Sequence, residues 1–215
     1  MRILLSISLL FLSILCFAQD PLRFEEEVSK FENSASEYPE ANRIVFTGSS
    51  SIRLWVDFKS YFPNHNVINT GFGGSETSDL IHYQELLIGQ FNPKQVFIYE
   101  GDNDTNSGKS VGVILKDLKK LVKNLKSMGI EDIVLIAAKP SVARWELKPQ
   151  YEKLNAKIER WTEKDSQLKF ANVWDIMLEE NGEVKTDIFI EDNLHMNKKG
   201  YDLWIKIIEP LLLKK

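Results

Sequence analysis

The chain has 215 residues, 43% of them apolar and 27% charged, with a formal charge of −4 at neutral pH. This is ordinary globular composition, and mild acidity with basic residues scattered along helices argues against a nucleic-acid partner. Cys16 is the single cysteine, so no disulfide within the chain is available and apolar packing must hold the fold.

Residues 1–18 open with Arg2, continue as an apolar run from Ile3 to Phe17, and end on Ala18 before Gln19-Asp20. That is the pattern of a secretory signal peptide, because the run is shorter than the ~20 residues of a membrane span and no stop-transfer pattern follows. An uncleaved anchor is the rival, while Leu15 directly before Cys16 disfavours a lipoprotein. Cleavage would leave 19–215 as one domain with no cysteine and one more unit of negative charge, in a periplasm or outside the cell.

After an amphipathic opening around Phe24, Val28 and Phe31, short apolar runs alternate with segments of helical period. Strands are predicted at 44–47, 67–69, 95–99, 133–138 and 170–173, from β-branched and aromatic content bounded by Gly, Pro or Asn. Helices are predicted from Ile52, and over 77–88, 111–128, 151–164 and 197–213. Lys116, Lys119, Lys120, Lys123 and Lys126 form the solvated face of the third. A helix after each strand predicts an α/β fold, with parallel strands, right-handed crossovers and ligands at the strands' carboxyl ends. Asn181-Gly182 invites a small hairpin just before the last motif.

Four clusters sit at predicted strand ends. Gly48-Ser49-Ser50-Ser51 can turn sharply into a helix and expose one hydroxyl, although helix capping alone accounts for one serine. Asn69-Thr70-Gly71-Phe72-Gly73-Gly74 lets backbone N–H groups approach a ligand; a tight turn is the alternative, and Glu76 stands where a dinucleotide fingerprint needs its third glycine. Gly101-Asp102-Asn103-Asp104 offers an amide that can meet a developing oxyanion. A calcium loop is disfavoured there by Ser107 and Val113, and a glycosylation sequon at Asn103 competes. In Asp192-Asn193-Leu194-His195 a carboxylate can orient an imidazole three residues away; a surface histidine near a helix start is the bland alternative. His65 and His82 have no ligand partners nearby in sequence, and no metal site is expected.

Together the four clusters resemble the SGNH hydrolases, also called the GDSL lipase/acylhydrolase family, over Arg43 to Tyr201. The resemblance places the nucleophile at Ser50, with Ser49 where the family often has aspartate, and the triad partners at Asp192 and His195. It builds the oxyanion hole from Ser50, Gly74 and Asn103, with Gly73 as the fallback glycine. Ser49 then reads as a turn residue and Ser51 as the helix opening. Gly48 to Trp55 and Lys139 to Trp145 are similar to a subgroup with poorly defined substrates. The fold implied is a flavodoxin-like, three-layer α/β/α sandwich around a central parallel sheet of about five strands.

The implied activity is ester hydrolysis through an acyl-serine intermediate, with no cofactor. Small, acetyl-type esters, including those of carbohydrates, are the expected substrates because no lipid-binding helix or long lid is evident. A lysophospholipase or thioesterase, and a catalytically silent carbohydrate-binding relative, are the alternatives. Arg53 and Arg144 are expected in surface ion pairs, with contact to an anionic substrate as the rival.

Overall fold

Residues 20–214 are described by the computed structural model, so the expected signal segment, with Cys16, lies outside the described residues. Five apolar runs form β1 (Arg43–Gly48), β2 (Asn66–Asn69), β3 (Gln95–Tyr99), β4 (Ile133–Ile136) and β5 (Leu168–Ala171). They pair in parallel in the order β2-β1-β3-β4-β5. β1, β3 and β4 are buried along their whole length, which is why their central residues, 44–46, 96–99 and 133–136, are apolar. Phe46 and Phe97, register partners on β1 and β3, stack with centroids 4.3 Å apart in the core.

Helices cover both faces of the sheet as an α/β/α sandwich. They are α1 (Glu25–Ser29), α2 (Ser50–Arg53), α3 (Thr77–Leu87), α4 (Asp102–Asn106), α5 (Val111–Ser127), α6 (Lys148–Thr162) and α7 (Lys198–Ile208). α5 buries Ile114, Leu118, Leu121, Val122 and Leu125 and leaves its lysines outward or half-exposed. From α7, Tyr201 stacks on Trp55 and Trp204 packs against Tyr99, joining the last helix to the strand ends. Among the described residues no helix is long and apolar enough to cross a membrane.

Several boundaries move from those the sequence predicts. β5 starts at Leu168 because the Leu168 N–H closes a turn on Asp165 O (2.9 Å), and it stops before Asn172, whose side chain accepts from Trp174 N–H (3.2 Å). β4 stops at Ile136 because the Asn155 side chain pairs both the N–H and the C=O of Ala138, each at 2.9 Å. α6 starts at Lys148 with Pro149 in its first turn, a position where the missing N–H costs nothing. α7 starts at Lys198, since Asn197 is its N-cap, and gives way to a short 3-10 turn, Glu209–Leu211, at Pro210. The first crossover helix opens two residues earlier than expected, with Ser49 as cap and Ser50, not Ser51, as the first residue of α2. α4 is an element that period alone does not reveal. The turn at Asn181-Gly182 forms, bridged by Leu178 and Val184.

Gly48 closes β1 at φ +119°, and a Cβ there would lie 2.1 Å from the Tyr99 carbonyl oxygen of the neighbouring strand. No side chain fits that approach. Gly48→Ala is therefore expected to destabilise the protein by more than about 3 kcal/mol, read as a fall in the urea midpoint. An unchanged midpoint would show that β1 and β3 do not meet in this way.

Candidate active site

The carboxyl ends of β1 and β3 diverge at the centre of the sheet, and the chain leaves each through a glycine. Ser50 opens α2 there, with its Oγ 2.9 Å from His195 Nε2. His195 Nδ1 lies 2.5 Å from Asp192 Oδ2. A carboxylate only accepts, so the proton sits on Nδ1, leaving Nε2 to accept from the Ser50 hydroxyl. The other oxygen, Asp192 Oδ1, accepts from the backbone N–H groups of Leu194 (2.9 Å) and His195 (2.8 Å). Burial raises the Asp192 carboxyl pKa, but these bonds from His195 and Leu194 outweigh it and hold the group below the usual carboxylate range. Asn193 turns the loop at φ +57°, a conformation asparagine tolerates.

Opposite, three donors gather around Ser49 and Ser50. Ser49 Oγ accepts from Ser50 N–H (2.7 Å) and from Asn103 Nδ2 (2.8 Å), and Asn103 Nδ2 also donates to Ser75 O (2.9 Å). Ser49 is thus the helix cap and the bridge to Asn103, a fuller role than a turn residue. The two glycines separate cleanly. Gly73 N–H donates to Glu27 Oε1 (2.9 Å), whereas Gly74 N–H has no partner among the described residues, and a Cβ on Gly74 would lie 3.8 Å from Asn103 Nδ2.

Of the three serines, only Ser50 reaches the imidazole. Asp102 and Asp104 do not act as a calcium loop: Asp102 accepts from Tyr99, Tyr151 and Arg144, and Asp104 from Thr77 and Lys109. Arg53 does pair at the surface, with Glu27 at 3.5 Å. Arg144 does not; its ion pair with Asp102 is largely buried, and it also donates to Asn103 Oδ1 at 3.1 Å. Lys139, fully buried, donates to the Leu194 carbonyl at 2.7 Å. Sequence reasoning missed both partners, although a lysine directly after the apolar end of β4 is a signal, since a buried ammonium needs acceptors. Among the described residues no group of three or more His, Cys, Asp or Glu is arranged to hold a metal.

An apolar cleft of about 550 Å³ lies beside these residues, lined in part by Leu54, Val56, Ile190 and Met196, while neither Ser50 nor His195 lines it. Its two walls are tied to the site by Leu54 N–H on Ser50 O (2.8 Å) and Ile190 N–H on His195 O (2.9 Å).

A family model described as the GDSL-like Lipase/Acylhydrolase family matches residues 46–203. Among solved structures, a Streptococcus pneumonia protein provisionally described as a platelet activating factor is 20% identical, covering 89% of this chain and 94% of its own, with a TM-score of 0.77. A GDSL-like lipase from Bacteroides thetaiotaomicron is 18% identical, over 86% and 96%, with a TM-score of 0.73. An acetylxylan esterase from Geobacillus stearothermophilus is 14% identical, over 81% and 95%, with a TM-score of 0.67. At these identities the likeness establishes the fold. No curated protein matches the sequence.

The depressed Asp192 carboxyl has a consequence for acid stability. A folded-state pKa below the unfolded value of ~3.9 contributes stability that is present above about pH 4 and lost as pH falls through the folded value. The difference in urea midpoint between the wild type and Asp192→Asn is therefore expected to shrink steadily from pH 5 to pH 2; a gap independent of pH would contradict the bond to His195.

Proposed function

The chain belongs to the GDSL-like lipase/acylhydrolase family, whose activity is ester hydrolysis, and on that premise we propose that it is a serine esterase with Ser50 as nucleophile. The observation that carries the proposal is the unbroken run of hydrogen bonds from Ser50 Oγ through His195 to Asp192, at 2.9 and 2.5 Å. Ser50 Oγ attacks the ester carbonyl carbon as His195 Nε2 takes its proton. Charge on the carbonyl oxygen is met by the Ser50 and Gly74 N–H groups and the Asn103 amide. The tetrahedral species collapses, the carbon–oxygen bond to the alcohol breaks, and His195 returns the proton to the departing oxygen. Water then repeats the sequence on the acyl-serine and releases the acid. Asp192 fixes the tautomer and stabilises the imidazolium formed in each half.

Asn103 is half-buried and both of its N–H groups are engaged, which disfavours its use as a glycosylation site. In the free protein Ser49 Oγ rests 2.7 to 2.8 Å from two of the oxyanion donors, so the substrate oxygen competes with that hydroxyl for them. A serine rotamer change is a small motion.

Small acyl groups, acetyl above all, on carbohydrate or other small alcohols are the proposed substrates. The fold shared with an acetylxylan esterase supports this choice. One feature favours a second reading. The apolar cleft beside His195, with Val56 and Ile190 exposed on its walls, suits a longer acyl chain such as that of a lysophospholipid or thioester.

Ser50→Ala should cut release of nitrophenol from nitrophenyl acetate by at least about 10³-fold with an unchanged circular dichroism spectrum, while Ser49→Ala and Ser51→Ala retain turnover. Loss in either neighbour with activity kept in Ser50→Ala would move the nucleophile. For the acyl group, kcat/KM should be higher on the acetate than on the octanoate; the reverse order would select the second reading.

A further inference from the structure

The run Lys139 to Trp145 stands out in the sequence, and the chemistry above leaves it unused. It leaves β4 and crosses the site, touching both halves. Lys139 Nζ holds Leu194 O at 2.7 Å, and Ala143 N–H holds Asn193 O at 3.1 Å, so the loop carrying Asp192 and His195 hangs from this segment. On the other side Arg144 Nη1 donates to Asp102 Oδ1 at 2.6 Å and to Asn103 Oδ1 at 3.1 Å. Arg144 is largely buried, with its side chain 14% exposed.

The bond to Asn103 Oδ1 has a chemical meaning. A carboxamide can sit either way round, and the wrong orientation would point an acceptor at a developing oxyanion. Guanidinium has donors only, so a neighbouring Arg144 admits just Oδ1 on its side and forces Nδ2 toward Ser49 and Ser50. A charge-assisted bond to Oδ1 also polarises the amide and strengthens its N–H donors. Asp102 opposes this charge, but it accepts from two tyrosines and lies 3.8 Å from Lys139, so the buried group of Arg144, Lys139 and Asp102 carries one surplus positive charge.

We propose that Arg144 is a positioning residue for ester hydrolysis, locking the Asn103 carboxamide with its N–H groups toward the oxyanion and charging it from behind. The proposal rests on the serine-esterase reading of the site. Its effect belongs to the transition state, because the ester carbonyl bears little charge before attack. Both bonds leave one guanidinium nitrogen, Nη1, whose two N–H groups are fixed in the plane, whereas a lysine ammonium is a freely rotating point charge on a shorter side chain.

The test measures kcat and KM on nitrophenyl acetate for Arg144→Met, Arg144→Lys, Asn103→Ala and the double variant Asn103→Ala/Arg144→Met, with Ser50→Ala as control. Arg144→Met should lower kcat by about 10- to 100-fold with KM within about twofold, and Arg144→Lys should recover only part of it. In the Asn103→Ala background, Arg144→Met should cost less than about threefold, since its route to the oxyanion is gone. Equal losses in both backgrounds would mean a merely structural role and overturn the proposal. A raised KM with unchanged kcat would do so too, by making Arg144 a substrate contact. Should Arg144→Met fail to fold, Arg144→Lys carries the same cycle with Asn103→Ala. If Ser50→Ala retained turnover, the esterase reading itself would fail; wild-type kcat in Arg144→Met beside an inactive Ser50→Ala would reject the role of Arg144 alone.

Discussion

Everything in the site depends on how closely β1 and β3 meet at their carboxyl ends. Gly48 lies opposite Tyr99 in the register, and the Ser49 N–H donates to the Tyr99 carbonyl at 3.1 Å. This is the centre of the sheet, where β1 has β2 on one side and β3 on the other, so the two chains leave in different directions and open a crevice. The close approach places Ser49 Oγ 2.8 Å from Asn103 Nδ2 across that crevice. A register slip of one residue would turn the faces of β1 over and separate the two groups.

His195 is not placed by any strand. Its loop, residues 190–195, is closed at the base by the isolated bridge of Phe189 with Met196, directly before α7. Tethers substitute for a ladder: Asn197 Nδ2 donates to the carbonyls of Asp187 and Phe189, each at 2.9 Å, and the segment after β4 holds the carbonyls of Asn193 and Leu194. One half of the site is therefore fixed by the sheet and the other by hydrogen bonds that converge from β4 and α7. Tyr201 O–H, donating to Ser51 O at 2.9 Å, joins α7 to the helix that bears Ser50 and limits their relative movement.

The strands were legible because buried parallel strands must be apolar throughout, and the four clusters because each falls where such a run ends. What escaped reading is the set of side chains acting across long sequence distances. Asn155 ends β4 by pairing Ala138, and nothing local to either residue announces it. Gly73 and Gly74 are indistinguishable by composition; Glu27, 46 residues away, separates them by occupying the Gly73 N–H. Arg144 had the pattern of a surface cation because the sequence does not display the buried Asp102 that draws it inward. Local turn chemistry was thus readable, while satisfaction of buried polar groups was a property of the assembled fold.

The proposed hydrolysis through Ser50 would build negative charge at a point near several acids in an acidic chain, and the arrangement of those acids decides whether that charge is tolerated. Burial, reinforced by Asp104, pushes the Glu100 carboxyl well above the usual range, which disfavours a charge at that buried position. Asp102 is matched by Arg144 and Lys139 and Asp79 by Arg23, while Asp104 and Glu76 share Lys109. Asp192 stands on the far side of His195, where its charge stabilises the imidazolium and is separated from the carbonyl by the ring. Ser49 adds to the same economy, since an ionised aspartate in its place would set a carboxylate within reach of the Ser50 and Asn103 donors. A hydroxyl fills the position without charge, so no carboxylate at residue 49 competes for those donors.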